Sequence, residues 1–226
     1  MQEIFMRRAI DLAKQGIGLT SPNPCVGAVI VKGGEIVAEG WHKKAGEDHA
    51  EIIVLKQMMK KSGIVTVDLE PSLFHNAILY VTLEPCSHNG KTPPCASAVT
   101  AAEFNKVYIG MKDPFKKVNG RGIKYLKQHG VDVEICRPGS KLEADIHDLN
   151  QPFIKWAETG MPYVIMKSGM TLDGKIATST KESRWITGEI ARRDARLERS
   201  KCDAVLVGCG TVKSDNPELA TCEKYK

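Results

Sequence analysis

The sequence predicts an α/β fold organised as a layered sheet. Stretches of strand character alternate with stretches of helical spacing up to about residue 145. Gly33-Gly34 separates two short apolar-rich runs, which is the mark of a β-hairpin. The 226 residues are 42% hydrophobic and 26% charged, so a sizeable core can form.

Taken in order, "EIFMRRAIDLAKQG" places Ile4, Phe5, Ile10, Leu12 and Ala13 at roughly helical spacing and stops at Gly16. "CVGAVIVKGGEIVAEGWH" supplies the two hairpin strands. "HAEIIVLKQMMKKSG" is a helix with an apolar stripe, ended by Lys60, Lys61 and Gly63. "AILYVTLE" reads as a buried strand, followed by a helix from Cys95 through "ASAVTAAEF". The strand "KVYIGMKDP", the helix "GIKYLKQHG" and the strand "VDVEIC" complete a domain over 1–145. "EADIHDLNQPFIKWAETG" reads as a connecting helix over 146–160. A fresh α/β run over 161–226 opens at "MPYVIMKSGMTLDGKIA", passes through the helix "GEIARRDARLERSK" and enters the strand "DAVLVGCGTV".

Composition removes several classes. No apolar run approaches the roughly 18–20 residues that span a membrane, and "MQEIFMRRAIDLAKQ" lacks the apolar core of a signal peptide. The expected location is the cytoplasm, where thiols stay reduced. Seven cysteines, scattered from Cys25 to Cys222, do not form a disulfide scaffold. The net charge of +5 is mild and dispersed, which gives nucleic-acid binding little support.

The chemistry concentrates in "VTLEPCSHNGKTPPC", residues 81–95, and "DHAEIIV", residues 48–54. Alone, Cys86 at a strand end is a small hydrophobe and His49-x-Glu51 a surface feature. Together they match the H-x-E…P-C pattern of zinc deaminases, with Cys95 as the second thiolate. Two thiolates cancel the charge of Zn²⁺, a neutral imidazole makes a third ligand, and the fourth tetrahedral position stays open. Glu51 lies about 200° from His49 on an ideal helix, poorly placed as a ligand but suited to shuttling a proton. His88 is a rival ligand. Lys91, in a glycine-flanked loop, reads equally as a solvated cation or as a phosphate ligand beside backbone amides.

Eight residues separate Cys86 from Cys95, where the generic pattern has two. With "PNPCVGAVIV" and "HAE", the segment "EPCSHNGKTPPC" resembles the bifunctional riboflavin-biosynthesis deaminase/reductase family. The resemblance continues through Asp113-Pro114, "GIKYLKQHGVDV", "LNQPF", "MKSGMTLDGKIA" and "SRWITGEIARRDARLERSKCDAVLVGCGTVKSDNPEL". It implies a cytidine-deaminase-like α/β/α mixed sheet, then the start of a dihydrofolate-reductase-like α/β domain. It implies zinc on His49, Cys86 and Cys95, Glu51 as the catalytic group, Asn23 on the pyrimidine and His42 on the ribose phosphate. In the second half it implies Gly169, Trp185, Thr211 and Asp215 at an NADPH site, and Ser183, Arg199 and Leu219 at the substrate. The substrate implied is a pyrimidine ribose phosphate.

The family's continuation carries an Arg that "NPELATCEKYK" lacks, and its later glycine-rich cofactor segment is missing. The expectation is therefore a truncated reductase domain over 161–226, using NADPH only if completed. Homo-oligomerisation is left open. The alternative function is a zinc deaminase of tRNA or single-stranded DNA bases. The cysteine spacing and dispersed charge count against that reading.

Overall fold

The computed structural model describes residues 3–64, 69–88, 94–116 and 118–221. They fall into two units, Met1–Tyr163 and Val164–Lys226.

The first unit is built on a five-stranded sheet of order β2-β1-β3-β4-β5. Its strands are β1 (Gly27–Lys32), β2 (Glu35–Trp41), β3 (Ala77–Leu83), β4 (Lys106–Met111) and β5 (Val133–Ile135). The β1–β2 hairpin turns where Gly33 and Gly34 both take positive φ, 61° and 85°, the twist that matches flanking strands. β1 is antiparallel to both β2 and β3, whereas β3, β4 and β5 run parallel. β1 and β3 are buried along nearly their whole length, so they read as continuous apolar runs rather than alternating ones.

Helix α1 (Glu3–Ala13) packs on β1, β2 and β3, and α5 (Lys141–Leu149) on β4 and α1. Helix α2 (Ala50–Lys61) packs on β2 and β1, and touches α3 (Cys95–Ala101), which meets α4 (Arg121–Gln128). Two glycines register these layers. A Cβ on Gly27 would lie 2.0 Å from the Ala9 carbonyl oxygen of α1, and one on Gly40 would lie 2.6 Å from Ile53 Cγ2 of α2. The sheet is thus covered on both faces, as expected for a layered α/β fold.

The expected single helix over 146–160 is two, α5 and α6 (Gln151–Thr159). The break falls at Asn150, whose buried side chain bonds backbone groups of Cys25 and Ile146. Pro152 sits in the first turn of α6, where a missing N–H is harmless. Leu142, Ile146 and Ile154 belong to the main core, so this segment is part of the unit rather than a bare connector.

In the second unit the described residues form α7 (Glu189–Ser200) and α8 (Cys209–Asp215). The strand expected at "DAVLVGCGTV" is not formed among the described residues, and Cys209 onward is helical. Leu206, an apolar member of that expected strand, is 96% exposed. A strand is held by a neighbour's ladder, and no ladder is present here among the described residues.

Gly27→Ala should lower unfolding stability by about 1–3 kcal/mol or more, because the added methyl meets backbone atoms of α1 that cannot swing away. A urea titration checks this, and an unchanged midpoint would contradict the tight α1–β1 approach.

Candidate active site

The topology gathers four loops at one edge of the sheet. Gly27 pairs with Trp41 and Ala28 with Val81, so the start of β1 and the ends of β2 and β3 lie together. Leu83 pairs with Met111, which adds the end of β4. Residues 22–26, 42–49, 84–88, and 112–116 with 118–120, leave or enter the sheet at this edge.

His49, Cys86 and Cys95 meet there, their ligand atoms all within 4.8 Å of one another. His49 Nδ1 lies 3.2 Å from Cys95 Sγ and 3.7 Å from Cys86 Sγ. The Cys95 backbone N–H donates to Cys86 Sγ over 3.3 Å. The Cys86 thiol is held well below its ordinary pKa, chiefly by the side-chain hydrogen bond with the Cys95 thiol, with His49 and the Cys95 backbone N–H adding to it. Its thiolate and burial in turn push Cys95 up, and hydrogen bonding to Cys86 raises His49. The two thiols and the imidazole are thus close polar partners of one another. A divalent cation lets both thiols ionise, and the N/S₂ donor set fits Zn²⁺.

Glu51 is 3% exposed and lines the adjoining cavity of about 400 Å³. Burial raises its pKa to about 7, the attraction of His49 opposing that rise. The ideal-helix angle between His49 and Glu51 does not apply, because His49 is the N-cap of α2 with extended backbone. Both side chains face the same cavity.

Asn23 and His42 line that cavity too. His42 is buried, and desolvation lowers its pKa. Its Nδ1–H donates to the Asp48 carbonyl over 3.0 Å, so Nε2 accepts from Asn23 Nδ2, also at 3.0 Å. Both imidazole nitrogens are thus engaged, and the Nε2 contact fixes the Asn23 amide. Asn150 holds the same loop from behind, accepting from Cys25 N and donating to Cys25 O.

The cavity also contains residues to which sequence reasoning gave no role: Glu84, Asp113, Phe115, Phe153 and Trp156. Burial raises Asp113 to about 6, and Phe115 stacks on Trp156 at 5.7 Å. Glu84 and Asp113 follow the carboxyl ends of β3 and β4, and that position was the available signal. His88 lines the cavity but is exposed and outside the donor cluster. Lys91 and Cys222 lie outside the described residues.

In the second unit, Arg184 donates to the Asp215 carbonyl, bringing the segment of Ser183 and Trp185 to α8, which carries Thr211 and Asp215. Arg192 lies over the Trp185 ring at 4.1 Å. Arg199 donates to the carbonyl of Glu218, next to Leu219. Gly169 lies near Thr187.

Residues 1–111 match the family model of the cytidine and deoxycytidylate deaminase zinc-binding region, and residues 162–224 that of the RibD C-terminal domain. The chain is 45% identical to riboflavin biosynthesis protein RibD of Bacillus amyloliquefaciens, over 98% of this chain and 55% of that protein. It is similar to the solved structure of Acinetobacter baumannii RibD, with a TM-score of 0.84 and 42% identity over 96% of this chain and 56% of that one. It is also similar to a Thermotoga maritima diaminohydroxyphosphoribosylaminopyrimidine deaminase/5-amino-6-(5-phosphoribosylamino)uracil reductase. There the TM-score is 0.82 and the identity 43%, over 95% of this chain and 57% of that one. The chain spans about half the length of the curated relatives it matches.

Metal analysis of the purified chain should give about one zinc per chain, because His49, Cys86 and Cys95 form a single ligand set. Cys86→Ala and Cys95→Ala should lose it and His88→Ala should keep it. The reverse pattern would overturn the ligand assignment.

Proposed function

The chain belongs to the RibD family, of whose curated members it spans about half the length, and from that premise we propose that the first unit, Met1–Tyr163, is a zinc-dependent deaminase of riboflavin biosynthesis. Its substrate in this reading is 2,5-diamino-6-ribosylamino-4(3H)-pyrimidinone 5′-phosphate. Water replaces one ring amine, yielding the 5-amino-6-ribosylaminouracil phosphate and ammonia. The observation that carries the reading is the His49, Cys86 and Cys95 donor set beside buried Glu51 at one cavity.

What Zn²⁺ supplies when held there is Lewis acidity, which brings the pKa of water down toward neutrality. The chain's own residues do the rest. A Glu51 carboxylate oxygen takes the proton from the attacking water and returns it to the departing amine, a double task suited to a pKa near 7. Asn23, its Nδ2 committed to His42, offers Oδ1 to a donor on the pyrimidine. Leu83, Val26 and Phe153 give the cavity apolar walls that limit water. Lys91 is assigned to the substrate phosphate on chemistry alone. A cytoplasmic setting suits a site that depends on reduced thiols.

For residues 161–226 we assign Gly169, Trp185, Thr211 and Asp215 to NADPH, and Ser183, Arg199 and Leu219 to the ribosyl substrate. That part of the reading applies to a completed reductase domain.

Ammonia release from the pyrimidine phosphate, compared with an RNA oligonucleotide, tests the substrate class. Release from the RNA alone would replace this reading with the nucleic-acid one. Glu51→Gln should keep its zinc and lose about 10²–10⁴-fold in turnover, since an amide carries no proton at neutral pH. Unchanged turnover with intact metal would remove Glu51 from the mechanism.

A further inference from the structure

Beyond the metal ligands and Glu51, a second carboxylate at this edge is more heavily engaged than either role requires. Glu84 directly follows β3 and precedes Cys86 by two residues. It is 3% exposed. Among the described residues, no Lys, Arg or His pairs with it. Four backbone amides take that place. Oε2 accepts from Asp113 N at 3.1 Å and Gly120 N at 2.8 Å. Oε1 accepts from Gly122 N at 2.8 Å and Ile123 N at 3.1 Å.

The last two are first-turn amides of α4, which have no partner within their own helix. The segment is shaped around the carboxylate. Gly120 holds φ of 87°, and a Cβ on Gly122 would lie 2.0 Å from the Pro85 carbonyl oxygen and 3.2 Å from Glu84 Oε1. The segment fastened in this way carries Asp113, Phe115 and Val118, all of which line the cavity.

We infer that Glu84 is a positioning residue for substrate binding: its carboxylate ties the cavity wall of residues 113–116 and 118–123 to the strand end that delivers Cys86. The inference rests on the deaminase reading for its substrate, and on the four hydrogen bonds for its geometry. The charge-bearing group matters because all four partners are donors. A glutamine offers one acceptor oxygen and turns an NH₂ toward two N–H groups, so half of the wall loses its anchor. Glu51 and the metal ligands make none of these four bonds, so the chemical step keeps its machinery.

The test is steady-state kinetics of ammonia release from the pyrimidine phosphate by zinc-loaded Glu84→Gln, with metal content measured on the same sample. KM should rise about 10- to 100-fold while kcat stays within about threefold, the mark of lost binding rather than lost chemistry. Zinc should stay at the wild-type level. Wild-type KM, an equal fall in kcat and kcat/KM, or loss of zinc would each overturn the assignment. Hydrogen exchange on the wild-type, zinc-loaded chain keeps the inference testable if the variant does not fold. The amides of Asp113, Gly120, Gly122 and Ile123 should exchange as slowly as those of β3, and fast exchange would overturn it. If the wild-type chain releases no ammonia from this substrate, the deaminase reading fails and the exchange pattern alone decides whether Glu84 anchors the wall.

Discussion

Polar groups taken out of water must find partners inside the protein, and the edge of the sheet where β3 ends is organised around that requirement. Glu84 meets four amides, His42 a carbonyl and an amide nitrogen, and Asn150 three backbone groups. The trio of His49, Cys86 and Cys95 is satisfied least well. Its members lean mainly on one another. A divalent cation completes what the side chains leave undone, which is why the donor set points to zinc rather than to a buried thiol pair.

Strand direction explains why these groups meet. β3 and β4 are parallel, so their carboxyl ends, Glu84 and Asp113, emerge side by side. β1 is antiparallel to β3, so its beginning, with Asn23 and Cys25 just before it, comes to the same edge. The hairpin then returns β2 to deliver His42. A sheet with β1 reversed would carry the Asn23 loop to the opposite edge, away from the cavity that Glu51 lines.

The second unit shows the opposite condition. Its expected strand has the apolar composition of a strand but no ladder among the described residues, and several of its side chains face outward. Composition gives a segment the capacity to be a strand, whereas the partner that makes it one is a property of the fold.

The sequence by itself determined the alternation of strands and helices, the Gly33-Gly34 hairpin, the family resemblance and the trio of His49, Cys86 and Cys95. Those features are local or carry a fixed spacing, and spacing survives in a linear string. It also singled out Glu51, though from an ideal-helix angle that the extended backbone of His49 sets aside. Only the tertiary structure decided that α5 and α6 are separate helices hinged on Asn150, that His42 serves the Asn23 amide, and that Glu84 anchors the wall of residues 113–116 and 118–123. Each depends on hydrogen bonds between positions 19 to 125 residues apart. Such partners have no signature in either segment alone, because the folded sheet, not the chain order, makes them neighbours.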